Sequence, residues 1–334
     1  MKTGSWKING RGRDPPSTED RSFIQILSGE NVIAGVFDGH SGSFTVDFVL
    51  KFLPGKLAEL VRTAENNEQK IRNGLRTIFI ELDKSIAKQG ALYYRDSGST
   101  ATVAIITATH CYFAFIGDSP AFIFNPDTGA VITSIGKHDP TSPEEYSRII
   151  RNSGHVTHDK GDVARVNGML AVARAFGDFS MKFANHRVPE WDKDWAKDFC
   201  VVADPEIVVI PRPAKGVLAI CSDGLVELAN PMGEEFRPIP EVAKRIHAHL
   251  TGHNGDLSTV AKNVIAEQVK EFTSNPEEYD GDDIALVLID FSKRVMIKGG
   301  GAKPAIAQAT TRKARKLRGV TGKNRKQLPK TFTI

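Results

Sequence analysis

Between Thr102 and Asn125 three apolar runs, rich in β-branched and aromatic residues, follow one another through loops of only a few residues: Thr102 to Thr107, Cys111 to Ile116 and Ala121 to Asn125. Each has the length and composition of a strand. With no helix between them, antiparallel pairing is favoured over a repeating βαβ unit. Further strand-like runs occupy Asn31 to Phe37, Val201 to Ile210, Val217 to Cys221 and Ile284 to Phe291. Two segments repeat apolar residues at spacings of three and four, and each therefore makes one apolar helical face. They are Ile71, Leu75, Ile78, Leu82 and Ile86, and then Leu257, Val260, Val264, Ile265, Val269 and Phe272. Shorter helices are expected over Ser43 to Phe52 and Pro240 to Leu250, and Asn167-Gly168 supplies the positive φ angles of a type I′ hairpin turn. Ala184 to Lys197, with two tryptophans among charges, reads as a surface loop or flap.

Several of the strands run straight into an aspartate. The pattern occurs at Asp38 (VIAGVFDGH), Asp118 (YFAFIGDS) and Asp223 (VLAICSDG), and in reverse where Asp282 and Asp283 open the last strand. One Asp-Gly after a strand is ordinarily a turn. Four carboxylates held at the ends of apolar strands are different, because a strand fixes its end residue at the edge of the core. Brought together without a cation they would repel one another. Oxygen donors without His or Cys partners suit Mg²⁺ or Mn²⁺ rather than zinc.

The ordered series Glu19-Asp20, VFDGHSG (Val36 to Gly42), DSGSTA (Asp96 to Ala101), FIGDS (Phe115 to Ser119), RVNGMLAVARAFGD (Arg165 to Asp178), CSDGL (Cys221 to Leu225) and GDDIALVLI (Gly281 to Ile289) resembles the metal-dependent Ser/Thr protein phosphatases of type 2C. The blocks span nearly all of residues 11 to 291. The resemblance implies an α+β fold, a central β-sandwich of two antiparallel sheets flanked by helices on both faces. It also implies hydrolysis of phosphoserine and phosphothreonine in proteins, with two Mn²⁺ or Mg²⁺ ions and a weaker third. Carried over by residue, Asp38 would bridge the two ions, the Gly39 carbonyl would bind one, and Asp223 and Asp283 would hold the other. Glu19 and Asp20 match the acidic pair that orders metal-bound water or binds directly. Asp118 matches the acid of the third ion, with Glu227 beside it, and His40 the general acid for the leaving alkoxide. A histidine suits that role because its pKa lies near working pH.

The pattern is not followed everywhere. The family's phosphate-gripping arginine normally lies close to the acidic pair, whereas Pro15-Pro16 lengthens the gap here, leaving Arg13 as first choice and Arg11 as second. Pro120 follows Asp118-Ser119 where Arg or a small residue is common, and Ile284 follows Asp283 where Asn is usual. Thr100 and Asp178 read equally well as supporting residues or as packing and turn residues. Arg165 and Arg174 read equally well as surface partners for acids.

Charge divides the chain in two. Residues 292–334 carry 13 Lys and Arg and no acid, while residues 1–291 carry 31 basic against 40 acidic residues, a net of −9. The expectation is a catalytic domain over 1–291 and a basic tail over 292–334, disordered when alone, that attracts nucleic acid or another polyanion. The three cysteines are far apart and fit neither a disulfide framework nor a zinc knuckle. The N-terminus lacks the apolar core of a secretory signal, and Lys2 stands where myristoylation requires Gly. No apolar run is long enough to span a bilayer. A cytoplasmic or nuclear compartment is therefore expected; the resemblance implies a phosphoprotein substrate, and a monomer is expected. Two other readings stay open: a catalytically silent domain that binds a partner, and a nucleic-acid-binding protein acting through its tail.

Overall fold

In the computed structural model, which describes residues 2–8, 18–28, 30–90, 93–158, 163–183, 191–226, 237–252, 256–273 and 282–292, the apolar runs form two five-stranded antiparallel sheets. One sheet has the order β13 (Glu206–Pro211), β7 (His110–Ile116), β6 (Ala101–Ile106), β3 (Val32–Phe37), β2 (Arg21–Ile26). The other runs β1 (Lys2–Ile8), β15 (Ile284–Asp290), β14 (Val217–Cys221), β8 (Ala121–Phe124), β9 (Val131–Ser134). A small sheet joins β12 (Phe176–Gly177), β5 (Gly98–Ser99) and β4 (Gly39–His40), and β10 (Val156–Thr157) pairs with β11 (Arg165–Val166). The helices are α1 (Phe44–Ala64), α2 (Glu68–Gly90), α3 (Pro143–Arg151), α4 (Phe179–Lys182), α5 (Ile239–Gly252) and α6 (Leu257–Thr273).

The alternation of side chains along the strands sorts them into layers. In β15, Ala285, Val287 and Ile289 meet Val32, Ala34 and Ile106 between the two sheets, whereas Ile284, Leu286 and Leu288 face Val260, Val264 and Ile246 of α5 and α6. Likewise Ile33 and Phe37 of β3 face Leu53 and Leu57 of α1 and Leu75 and Phe79 of α2. The result is the expected helix, sheet, sheet, helix order. A strand buried on both faces reads as an unbroken apolar run, which is why β3, β6, β14 and β15 stand out in the sequence.

Elsewhere the structure departs from the reading. The first helix continues beyond Phe52 to Ala64 across Pro54, because Val49, Leu53, Leu57 and Val61 keep one buried face and their packing outweighs the lost backbone hydrogen bond. Strand β13 starts at Glu206 rather than Val201. Val201 instead packs with Ile149, Val166 and Met181 in a separate small core beneath α3. Strands β1, β2 and β9 went unread because they lack continuous apolar runs, yet β1 pairs with β15 over its full length. Trp195 belongs to the core rather than to a surface flap: it is 3% exposed and meets Phe183 and Phe199 edge to face. Trp191, stacked on it at 5.4 Å, is half exposed. The Asn167-Gly168 turn is as expected, with φ of 52° and 73° and the Met169 N–H donating to the Val166 carbonyl.

All described residues fall in one unit, Met1–Gly301; the second, Ala302–Ile334, lies outside them, as does the rest of the basic segment after residue 292. Among the described residues no helix is long and apolar enough to cross a membrane. All three cysteines are buried. Burial pushes the Cys111 thiol up to about 12 and also raises Cys200 and Cys221. The folded chain should therefore leave Ellman's reagent unreacted over minutes at about pH 8, and release the colour of three thiols only once denatured. A fast-reacting thiol in the native chain would contradict this burial.

Candidate active site

Rigid strand ends put the acids at one end of the sandwich. Asp38 follows β3 directly, and its backbone is clamped on both sides: its N–H donates to Thr100 Oγ1 at 3.1 Å, and its carbonyl accepts the Thr100 N–H at 2.9 Å. Thr100 Oγ1 also bonds Ser119 Oγ at 2.7 Å, so the DSGSTA block braces Asp38 from beneath. Asp223 begins a 3-10 turn after β14, and Ser222, just before it, ties that turn to β15 by donating its N–H to the Ala285 carbonyl. Gly39 leaves no room for a side chain, since a Cβ there would lie 2.7 Å from the Glu19 carbonyl oxygen.

Asp38, His40, Asp118, Asp223 and Asp282 line one pocket of about 530 Å³, together with Lys137, His138 and Arg165. Burial pushes the Asp38 carboxyl well above its usual range, and Asp223, Asp20 and Asp282 raise it further. Asp282, although exposed, is raised as well, first by the partial loss of solvent around its carboxyl and then by the charge of Asp283. Burial also lifts Asp118, to about 6, although Lys137 pulls in the opposite direction. Burial alone would push His40 down, but the Asp178 carboxylate, 2.8 Å from Nε2, together with Asp118 and Glu19 outweighs this and leaves it raised.

Asp283 stands apart from this group. It is not among the pocket-lining residues, and its Oδ2 accepts the Glu19 N–H at 2.6 Å. The acid in the pocket is its neighbour Asp282, whose Oδ1 accepts the Asp283 N–H. Asp282 and Asp283 both precede β15, and of the two only Asp282 lines the pocket. With Asp282 in the ligand role, the position where Asn is usual falls on Asp283 rather than Ile284. Glu19 Oε1 accepts the Gly42 N–H at 3.0 Å, and buried Asp20 accepts from Ser222 Oγ at 2.6 Å. Neither Glu19 nor Asp20 lines the pocket. Arg11, Arg13 and Glu227 lie outside the described residues.

Lys137 and His138 also line the pocket, and sequence reasoning singled out neither. Arg165 lines the pocket, whereas Arg174 joins a part-buried ion network, bonding Glu145 at 2.6 Å and the Asp204 carbonyl at 2.9 Å. Arg148 pairs with the same Glu145. Among the described residues no three His, Cys, Asp or Glu side chains close around a point that would hold a metal ion as they stand. The donor set still fits a hard cation: carboxylates from the ends of strands line one pocket, where Asp223, Asp20 and Asp282 act against the charged form of Asp38.

The family model of protein phosphatase 2C matches residues 25–275. The chain belongs to that family. Type 2C phosphatases are metal-dependent, typically on manganese or magnesium. The match begins after Asp20 and ends before Asp282, so both acids lie outside it. The chain is 32% identical over 193 residues to the probable protein phosphatase 1N of Homo sapiens, covering 57% of this chain and 41% of that protein. It is 26% identical over 285 residues to the probable protein phosphatase 2C 17 of Arabidopsis thaliana, covering 84% and 86%. Several of the curated relatives are thus spanned over less than half their length. The crystal structure of a phosphatase from a pathogenic strain of Toxoplasma gondii superposes with a TM-score of 0.69 at 20% identity, covering 91% of this chain and 95% of that one. The type 2C fold is shared throughout.

Proposed function

We propose that this type 2C chain hydrolyses phosphoserine and phosphothreonine in proteins, using two Mn²⁺ or Mg²⁺ ions and a weaker third. The observation that carries the reading is the meeting of Asp38, Asp223 and Asp282 with His40 in one pocket. When bound, the divalent ions offset the charge of the phosphate dianion and lower the pKa of water enough to supply hydroxide near neutral pH. Asp38, the Gly39 carbonyl, Asp223 and Asp282 would hold the principal ions, and Asp118 the weaker one. Glu19 and Asp20 would order water around them, Glu19 being fixed by Gly42 and Asp283 and Asp20 by Ser222. His40 would donate a proton to the departing serine or threonine oxygen, a step worth about 10²–10⁴-fold for a poor leaving group. Arg13 keeps its role as first choice for gripping the phosphate, with Arg11 second. Residues 292–334 would be an appendage to the catalytic body, open to nucleic acid or another polyanion, on a monomer in the cytoplasm or nucleus.

The test is hydrolysis of a phosphothreonine peptide by the full chain. Turnover is expected with Mn²⁺ or Mg²⁺, falling to background with EDTA and returning when excess Mn²⁺ is added. Turnover that persists in EDTA would overturn the metal-dependent reading, and binding of Mn²⁺ without any turnover would favour a silent binding domain.

A further inference from the structure

We propose that Asp178 is a positioning residue for His40, accepting the Nε2 proton and so fixing both the ring orientation and the tautomer that leaves Nδ1 to exchange a proton with the substrate. The inference rests on the reading of His40 as the proton donor. The carboxylate Oδ1 lies 2.8 Å from Nε2, and a carboxylate accepts, so Nε2 carries the hydrogen. A histidine's reactive nitrogen is set by the bond its other nitrogen makes.

The ordinary explanation for an Asp at this place is a helix cap, and it fails here. Asp178 precedes α4, yet its side chain makes no capping hydrogen bond. The residue is 4% exposed, and its Oδ2 has no hydrogen-bond partner. A carboxylate buried with one oxygen unsatisfied is costly. Its backbone is also held at φ of 50°, a region that non-glycine residues visit at some expense. The surroundings enforce that placement. The Asp178 N–H donates to the Ser97 carbonyl at 3.0 Å. One residue earlier, the Gly177 N–H donates to buried Asp83 at 2.8 Å. Gly98 makes room for the pair, since a Cβ there would lie 2.2 Å from both Asp178 Oδ2 and His40 Nε2. Three separate segments thus converge to hold one carboxylate against one imidazole.

Asp178→Asn is the variant of choice because Asn tolerates a positive φ. p-Nitrophenolate leaves a phosphate ester without protonation, whereas an alkoxide needs a proton, so the two substrates separate proton donation from everything else. In the Mn²⁺-loaded full chain, kcat on a phosphothreonine peptide should fall by about 10²-fold and on p-nitrophenyl phosphate by no more than about threefold. In a His40→Ala background, Asp178→Asn should cost nothing further, the non-additivity expected of residues that act as a unit. Equal losses on the two substrates, or additive losses in the double variant, would overturn the proposal. Long-range ¹H–¹⁵N spectra of the metal-free chain give a second readout: neutral His40 should be protonated at Nε2, and that preference should weaken in Asp178→Asn. Protonation at Nδ1 in the parent would overturn the proposal. A parent chain that hydrolyses neither substrate would defeat the phosphatase reading instead, and the spectra would then decide the role of Asp178 by themselves.

Discussion

Asp38→Asn is expected to cut Mn²⁺-dependent hydrolysis by about 10³-fold or more, while the metal-free variant melts no lower than its parent. Transition-state charge stabilisation by bound metal is worth several kcal/mol. At about 1.4 kcal/mol for each factor of ten, losing the central donor reaches that size. The stability arm follows from the electrostatics of the same place. Asp38 is half-buried near Asp223, Asp20 and Asp282, which all act against its charged form. Asparagine keeps the shape and the backbone bonds to Thr100 but removes one of the repelling charges. Mn²⁺ should raise the parent's Tm by mass action and raise that of the variant much less. Calorimetry with and without Mn²⁺ checks both statements. A variant with wild-type turnover and an undiminished Mn²⁺ shift would remove Asp38 from the donor set.

How much of this could be read from the chain depends on how each residue is held. Asp38 and Asp223 were legible because each follows a strand buried on both faces, where the apolar run marks its own end. Asp282 was not, because two aspartates in succession open β15 and the apolar run does not say which side chain turns into the pocket. The folded chain distinguishes them: Asp282 lines the pocket, while Asp283 Oδ2 accepts the Glu19 N–H. The pairing of His40 with Asp178 joins residues 138 positions apart. Its local signal, an Asp after Gly before a short helix, is that of a turn, and the function appears only when the unused capping geometry is seen.

The layers were legible for the same reason as the acids, and their edges were not. Strands β2 and β9 have only half-buried or exposed residues, and a half-polar sequence at a sheet edge carries little more signal than a loop. α1 shows the opposite failure. Pro54 is a strong local stop, yet a buried stripe from Thr45 to Ala64 carries the helix through it. Tertiary packing is what decides both cases.

Lys182→Met should destabilise the chain by about 3–5 kcal/mol, the usual cost of leaving one member of a buried ion pair alone. That is a large part of a typical folding free energy, and a Tm loss on the order of 10 °C is expected. Lys182 Nζ lies 2.6 Å from Asp83 Oδ2 and 3.0 Å from the Ala175 carbonyl, with both charged side chains 1% exposed. Asp83 Oδ1 accepts the Gly177 N–H, so the pair holds the turn that carries Asp178. Burial raises the Asp83 carboxyl above its usual value even in the parent, although Lys182 and the Gly177 N–H lower it. The folded state therefore holds that proton more tightly than the unfolded state, and stability is lost as pH rises from about 4 through the folded value. Removing Lys182 raises the folded value further, so the gap between parent and variant should widen towards neutral pH and narrow in acid. Asp83→Asn in the Lys182→Met background should recover most of the loss, because a neutral amide can keep the bond to Gly177 without a buried charge. Denaturant unfolding of the four chains at two pH values measures each of these statements. A Lys182→Met gap that is the same at both pH values, or a double variant no better than the single, would show that lost packing rather than a stranded charge sets the cost.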